Sequence, residues 1–307
     1  MQFDSVANLA VIFAAVLILG AMSGFFSERV GIANISINGQ MIFSALMFAV
    51  FAELIYPRLG NESFVIPMLL SMVCTLAMSS LFAFLTIHLK ANQIVAGTAI
   101  NMLGAGLATF LTQPLGPLLS NGLHTKLQSD YLGIDGLGGS QFMLTSLLLF
   151  IAILIIAVGL WVLMKYTPFG LRLRAIGNNP NAVDAQGINV TKYQWIALSI
   201  SGLLAGLAGS LFLYGNGGTF NGSVSGYGFL ALAILIAGSW RIPLLAIVAI
   251  LFAFLTQIFK QLTISNNIPV DVANLIPYAI TLVGMIAFSK WNVAPKNIGI
   301  PFDKTKR

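Results

Sequence analysis

The stretch QFMLTSLLLFIAILIIAVGLWVLM, residues 141–164, contains no charged residue and is apolar along nearly its whole length. A helix needs about 20 such residues to cross a bilayer, because each adds ~1.5 Å of rise against a hydrocarbon core ~30 Å thick. The run is too long and too evenly apolar for the alternating strands of a membrane barrel. Because backbone groups in lipid must be hydrogen-bonded within the protein, residues 141–164 predict a transmembrane helix.

Comparable apolar runs recur along the chain. Hydrophobic residues make up 58% of the 307 residues and charged residues only 8%, whereas a soluble domain carries roughly 25% charged residues. We therefore predict an all-α, polytopic membrane protein that forms a single domain over residues 1–307 and has about nine transmembrane helices, within a range of about eight to ten. The predicted spans are residues 6–24, 37–55, 64–88, 92–112, 141–164, 194–214, 227–239, 243–260 and 272–289.

Two of these spans are irregular. Residues 227–239 are too few to cross the core upright, and the glycines Gly226 and Gly228 stand at their start. The second span is preceded by GIANISING, residues 31–39, which mixes glycine, serine and asparagine with apolar residues. We expect an extended, tilted or broken element at residues 227–239 and an irregular start to the second span.

The basic residues predict the orientation, because lysine and arginine gather in cytoplasmic loops. Of the fifteen basic residues, residues 165–193 carry four and the tail from Lys290 onward carries five. Four predicted spans separate these two segments, so both can lie in the cytoplasm. Counting back five spans places the N-terminus outside, with Arg58, Lys126 and Lys260 as exceptions on the outer side.

The sequence contains none of the motifs that would make the chain an enzyme by itself. It has no glycine-rich phosphate loop and no His-Glu-x-x-His motif, its two histidines are His88 and His124, and its one cysteine is Cys74. We therefore expect no catalytic residue, no metal and no cofactor on this chain. The net charge of +6 is explained by the basic loops, so we expect contact with membrane lipids and none with nucleic acid.

Neutral polar side chains occur at depths where lipid would penalise them, and four of them are candidate lining residues of a solute pathway: Asn34, Asn38, Gln93 and Asn101. Polar groups at such depths face protein or a wet cavity. The alternative is that they form hydrogen bonds between helices. Both interpretations fit the residue types.

Acidic side chains are sparse, which bears on the mode of transport. Proton-coupled carriers place ionisable groups inside their spans, but Glu53 and Asp271 lie at predicted span ends. This pattern disfavours a proton-driven carrier and leaves open sodium coupling through backbone carbonyls.

The segment 165–193 predicts two short helices in a cytoplasmic loop. The first is amphipathic and stops at Gly177, and the second runs from about Pro180 to Gln186 and ends at Gly187. Asn178 or Asn179 could cap the second helix, and proline suits its first turn. A short capped helix is suited to docking a soluble partner; a plain surface loop is the alternative.

This loop resembles the cytoplasmic coupling loop of permease subunits in bacterial ABC importers, in the branch that imports ribose-type sugars, nucleosides and branched-chain amino acids. Residues 27–39, 92–101 and 226–238 resemble further stretches of the same family, most closely the shorter subunit of paired nucleoside or simple-sugar permeases. By this resemblance the residues that couple to the ATPase are Gly170, Arg172, Arg174, Gly177, Asn178, Asn181, Ala182 and Gly187. The sequence departs from the family at Ser36 and Asn38, where the family has glycine and glutamate.

The resemblance implies a multi-pass subunit of the bacterial cytoplasmic membrane that forms the translocation pathway of an ATP-binding cassette importer. Its expected partners are ATP-binding subunits that carry ATP and magnesium, a second permease subunit that forms a heterodimer with this chain, and an extracellular substrate-binding lipoprotein. Nucleosides are the first expected solute and pentose-type sugars the second. An ion-coupled carrier or a channel for a small neutral polar solute is the alternative function.

Overall fold

The computed structural model describes residues 3–59, 64–121, 140–217, 220–265, 279 and 294–303. Every helical element below lies in these ranges. The α-helices are α1 (Phe3–Glu28), α2 (Ile37–Leu59), α3 (Val65–Ala83), α4 (Gln93–Asn121), α5 (Ser140–Tyr166), α6 (Pro168–Asn178), α7 (Pro180–Ala185), α8 (Val190–Gly215), α9 (Tyr227–Ala237) and α10 (Ile242–Ser265). A π-helical turn, Phe84–His88, continues α3. No strand occurs among the described residues.

Seven of these helices are long and apolar enough to cross a membrane, which confirms the all-α polytopic class. The seven are Val6–Glu28, Ile37–Ile55, Val65–His88, Gln93–Thr112, Ser146–Tyr166, Val190–Gly215 and Ile242–Leu262. The predicted ninth span, residues 272–289, lies outside the described residues apart from Ala279. The helix count of about nine and the outside N-terminus stay predictions.

The predicted short span is helix α9, with 11 residues. At 1.5 Å per residue it is about 16 Å long, roughly half the thickness of the hydrocarbon core. In contrast, α4 continues to Asn121, past the predicted end of its span at residue 112. Helix propagation adds one hydrogen bond per residue fixed, so a helix need not stop where its apolar run stops.

Helix α1 lies at the centre of the bundle. In its most apolar part 89% of the residues are buried, and the helix packs against α5, α8, α9 and α10. The corresponding share of α5 is only 17%, although α5 is the more apolar helix. A helix that is apolar all round but exposed within its own chain is suited to face lipid or another subunit.

The start of α2 is enclosed by glycines from neighbouring helices. A Cβ atom added to Gly104 of α4 would lie 2.5 Å from the carbonyl oxygen of Gly39, and one added to Gly209 of α8 would overlap the carbonyl oxygen of Met41. A Cβ atom on Gly228 of α9 would overlap the backbone of Asn38. Residues without a side chain let helix backbones approach this closely, so the first turn of α2 is the point where α4, α8 and α9 meet.

The helix crossing at Gly104 predicts the effect of a single methyl group. In Gly104→Ala the new methyl group must displace the Gly39 carbonyl, so we expect the free energy of unfolding to fall by on the order of 1–3 kcal/mol. Gly106→Ala, in the same helix, is the matched control because nothing lies within 4 Å of its added Cβ. Thermal unfolding of both purified variants in detergent tests this, and equal melting temperatures would contradict the crossing.

Candidate functional site

Residues 167–189 connect α5 to α8 and are called the α5–α8 loop from here on. Its first helix is α6. Thr167 caps it: its Oγ1 accepts a hydrogen bond from the Gly170 N–H at 3.3 Å, and Pro168 occupies the first helical position. Leu173 and Ile176 form its buried face. The amphipathic helix expected before Gly177 is confirmed, and it ends one residue later.

The second helix of the loop, α7, begins at the predicted Pro180 and ends at Ala185, one residue before the predicted Gln186. Asn179 is its N-cap, with Oδ1 accepting from the Ala182 N–H at 3.1 Å. At its other end the N–H of Gly187 bonds to the carbonyl of Asp184 at 2.9 Å, and the N–H of Ile188 bonds to that of Val183 at 3.4 Å. These two bonds form a Schellman motif, which requires the left-handed conformation of Gly187 (φ +77°).

Four exposed residues on or beside α7 are uncharged, while Asp184 of the same helix is half-buried. Asn178, Asn181, Ala182 and Gly187 are all exposed, whereas Val183 is buried beneath them. A rigid, capped helix that presents small neutral side chains can contact a partner closely without desolvating a charge. These are four of the eight residues for which the resemblance implies a coupling role.

The two arginines of the predicted coupling set tie α6 to neighbouring helices. The guanidinium of Arg172 donates to the hydroxyl of Tyr193 on α8 and lies 5.6 Å from the centre of that ring. Arg174 Nε donates to the carbonyl of Gly170 at 3.3 Å, and its terminal nitrogen donates to that of Lys165 at 3.4 Å. Arg172 therefore links α6 to α8, and Arg174 caps the end of α5.

The two glycines of the set make close backbone contacts. A Cβ atom on Gly170 would overlap the backbone of Met164 at the end of α5, and one on Gly177 would overlap the carbonyl oxygen of Arg29. The carbonyl of Gly177 accepts from the N–H of Asn297 at 3.0 Å. The α5–α8 loop is thus packed directly against the segment that joins α1 to α2 and against residues 294–303.

That joining segment, residues 29–36 (the α1–α2 junction), is non-helical but largely buried. Helix α1 closes in a Schellman motif, with the N–H of Ile32 bonded to the carbonyl of Ser27 at 3.1 Å and Gly31 at φ +82°. The chain then passes Asn34 without regular secondary structure and turns at residues 35–36 before α2 begins. Buried non-helical backbone needs other protein groups to satisfy its hydrogen bonds.

Side chains from α4 supply several of those bonds. Gln93 Oε1 accepts from the N–H of Ala33 at 2.6 Å. Asn101 Oδ1 accepts from the N–H of Gly39 at 2.6 Å, and Asn101 Nδ2 donates to the carbonyl of Ile35 at 2.8 Å. Both amides therefore replace backbone partners that a continuous helix would have provided.

Asn34 and Asn38 complete the same arrangement. Asn34, which is fully buried, donates to Ser201 Oγ on α8 at 3.1 Å and accepts from the Ser36 N–H at 3.1 Å. Asn38 Oδ1 accepts from the N–H of Gly228 at 3.3 Å, where α9 begins. The amide of Asn38 thus holds the start of α2 against the start of α9.

All four predicted pathway residues therefore surround the α1–α2 junction and the start of α2, and each is hydrogen-bonded to backbone there. Their role as the lining of a solute pathway stays a prediction. Nothing in the sequence indicated three further contributors: Gln194, which donates to the carbonyl of Val30 at 3.3 Å, Ser201, and Asn297. No local sequence pattern distinguishes these three residues, and only the tertiary fold brings them to the junction.

The chain is similar to known proteins along nearly its whole length. Residues 6–285 match the family described as branched-chain amino acid transport system, permease component. The chain is 38% identical over 307 residues to the uncharacterized protein MG121 of Mycoplasma genitalium, covering 96% of each chain.

Two similar relatives carry functional names. The nucleoside ABC transporter permease protein NupC of Lactococcus lactis is 33% identical over 312 residues, covering 98% of this chain and 97% of that one. The guanosine ABC transporter permease protein NupQ of Bacillus subtilis is 35% identical over 316 residues, covering 97% and 96%. No solved structure gives a significant match.

The hydrogen bond between Gln93 and Ala33 predicts a stability effect that burial alone would not. Gln93→Met keeps the length of the side chain but leaves the Ala33 N–H without its acceptor, which costs about 1–3 kcal/mol. Gln186→Met is the control, because Gln186 is exposed on the loop. A lower melting temperature for Gln93→Met alone supports the bond, and equal melting temperatures would refute its importance.

Proposed function

The chain belongs to the family of branched-chain amino acid transport system permease components, and on this basis we propose that it forms one membrane-spanning half of an ATP-binding cassette importer for nucleosides. The match confirms the family resemblance that the α5–α8 loop indicated. Together with the seven apolar helices, it makes the chain a multi-pass protein of the bacterial cell membrane.

The observation that carries the proposal is the geometry of the α5–α8 loop. Its inner face is buried against α1–α2 backbone, and its outer face presents α7, which is capped at both ends and exposes Asn181 and Ala182. When a soluble subunit moves against it, such a loop can be displaced as a rigid body and transmit the force to the α1–α2 junction. A plain connecting loop would need neither the two caps nor the close contact at Gly177.

The proposed path of force runs from α7 to the interior. An ATP-binding subunit contacts Asn181 and Ala182, and its movement displaces α6 together with α7. Because Gly177 is in backbone contact with Arg29, the displacement reaches the α1–α2 junction. The junction carries the start of α2, at which α4, α8 and α9 meet, so these helices move relative to one another.

Nucleosides are the proposed solute on two grounds. The names of two relatives along nearly the full chain specify a nucleoside and guanosine. The interior polar groups at the start of α2 are amides and hydroxyls, which suit a neutral polar solute and carry no charge to trap an ion. Simple sugars share this chemistry and are the second candidate.

The assembly proposed around the chain supplies what the chain lacks. ATP and magnesium bind to two separate ATP-binding subunits, and hydrolysis takes place there. A second permease subunit, expected to be a different chain, completes the pathway, and a lipid-anchored binding protein delivers the solute outside. The chain itself is proposed to be a non-catalytic subunit.

Uptake into proteoliposomes tests the function directly. The complete transporter, with its ATP-binding subunits and binding protein, is expected to accumulate labelled guanosine and adenosine only when ATP is hydrolysed. The chain alone is expected to be inert. ATP-dependent uptake of ribose without either nucleoside would make it a sugar permease, and vigorous uptake by the isolated chain would make it a carrier or a channel.

Variants at Ala182 test the proposed coupling contact in the same uptake assay. Ala182→Pro removes the N–H that Asn179 caps, and Ala182→Asp places a charge on the proposed contact surface. Since one N-cap is worth about 1 kcal/mol, we expect uptake and stimulated ATPase activity to fall roughly fivefold or more. Ala182→Ser is the control, and normal transport by well-folded Ala182→Pro would refute the coupling role.

A further inference from the structure

A pocket of about 730 Å³ opens where the ends of α1 and α5 meet α6 and the start of α10. Four basic residues line it: Arg29, Lys165, Arg174 and Arg241. They come from four different parts of the chain, and none of the four forms an ion pair with a carboxylate among the described residues, where the ion pair that occurs is Lys90–Asp303.

The carboxylate that precedes Arg29 in the sequence is already engaged elsewhere. Glu28, which is 8% exposed, accepts a hydrogen bond at 2.5 Å from the indole N–H of Trp240. Trp240 helps to line the pocket, whereas Glu28 is not among its lining residues. The cationic side chains face the pocket with no acidic side chain among its lining residues.

The cations are held in place at the cost of mutual repulsion. The guanidinium of Arg29 donates to the carbonyl of Trp240 and lies 5.0 Å from the centre of the Phe25 ring, while its Nε has no partner. Burial, and then the charges of Arg174 and Arg241, lower the pKa of Arg29 to about 10. It thus stays charged at neutral pH, and an anion in the pocket would relieve the repulsion.

The pocket lies at the level where three apolar helices end. Arg29 follows the span Val6–Glu28, Lys165 stands at the end of Ser146–Tyr166, and Arg241 immediately precedes Ile242–Leu262. It is on the same side as the α5–α8 loop, which the basic residues predict to be cytoplasmic. Trp161 lies 4.8 Å beneath the ammonium group of Lys165, and tryptophan is enriched at this membrane level.

One wall of the pocket continues as apolar surface along α10. Leu244 and Ile247 line the pocket and are 39% and 63% exposed, and Leu251, one helical turn further, is exposed as well. A ligand seated among the basic residues can therefore extend an apolar part along α10. Free phosphate or an acidic peptide would make no use of this surface.

We propose that this pocket binds the headgroup of an anionic phospholipid, with the phosphate among the four basic side chains and an acyl chain lying along α10. Basic pockets between membrane helices on the cytoplasmic side are suited to anionic headgroups. Arginine contributes the charge-assisted, bidentate hydrogen bonds that phosphate oxygens accept. The bound lipid would lie beside Arg174, which also caps α5 and belongs to the α5–α8 loop.

Native mass spectrometry of the full chain in detergent tests the site, with phosphatidylglycerol or phosphatidylcholine added stepwise. The test variant is Lys165→Gln combined with Arg241→Gln, because both side chains are exposed and their loss should not affect folding. The matched control is Lys192→Gln combined with Lys296→Gln, which removes two exposed charges on the same side outside the pocket. Arg241→Gln alone is the reserve variant should the double variant not fold.

We expect the wild-type chain to prefer phosphatidylglycerol over phosphatidylcholine. At roughly fivefold per basic side chain, the affinity for phosphatidylglycerol should fall about thirtyfold in the test variant, about fivefold in Arg241→Gln, and less than about threefold in the control.

Three results would overturn the proposal. The first is equal binding of the two lipids, or an equal loss in the control variant. The second is displacement of phosphatidylglycerol by inorganic phosphate at the same concentration, which would show that the apolar wall contributes nothing. The third is that the assembled transporter loses its ATP-binding subunits, rather than lipid, when Lys165 and Arg241 are replaced, which would assign the pocket to a protein contact.

Discussion

The backbone of residues 29–36 passes through the interior of the bundle without the hydrogen bonds that a helix would supply. Most of this stretch is buried and shielded from water, so side chains of neighbouring helices must supply them. Gln93 serves the N–H of Ala33, Asn101 serves Ile35 and Gly39, and Gln194 serves the carbonyl of Val30. Each of these bonds comes from a different turn of α4 or α8, so the relative positions of α1, α2, α4 and α8 depend on the α1–α2 junction.

Two surface segments contact the same junction. Gly177 at the end of α6 lies against Arg29, and the N–H of Gly299 donates to the carbonyl of Gly31 at 3.2 Å. One short stretch of backbone, the α1–α2 junction, therefore contacts the α5–α8 loop, residues 294–303 and the centre of the bundle. The proposed coupling to a separate ATPase needs such a stretch, because force applied to the α5–α8 loop must reach the interior through backbone contacts.

The sequence predicted local features well because they depend on neighbouring residues. The apolar runs predicted the spans, and the order asparagine, proline, glycine over residues 179–187 predicted α7 with its caps. The irregular start of the second span followed from residues 31–39. The partners of the polar residues could not be predicted, since Gln93 reaches Ala33 and Asn34 reaches Ser201 only through the packing of distant helices. The meeting of Arg29, Lys165, Arg174 and Arg241 in one pocket is likewise a tertiary result, although their shared side of the membrane could be predicted from charge.

Hydrogen exchange in the complete transporter measures most directly whether the loop and the junction act as one unit. Peptides covering residues 29–36 and 168–187 would be followed with and without a non-hydrolysable ATP analogue. The account predicts that the exchange rates of both segments change together when the nucleotide binds. A change confined to residues 168–187, with the junction unaltered, would contradict it.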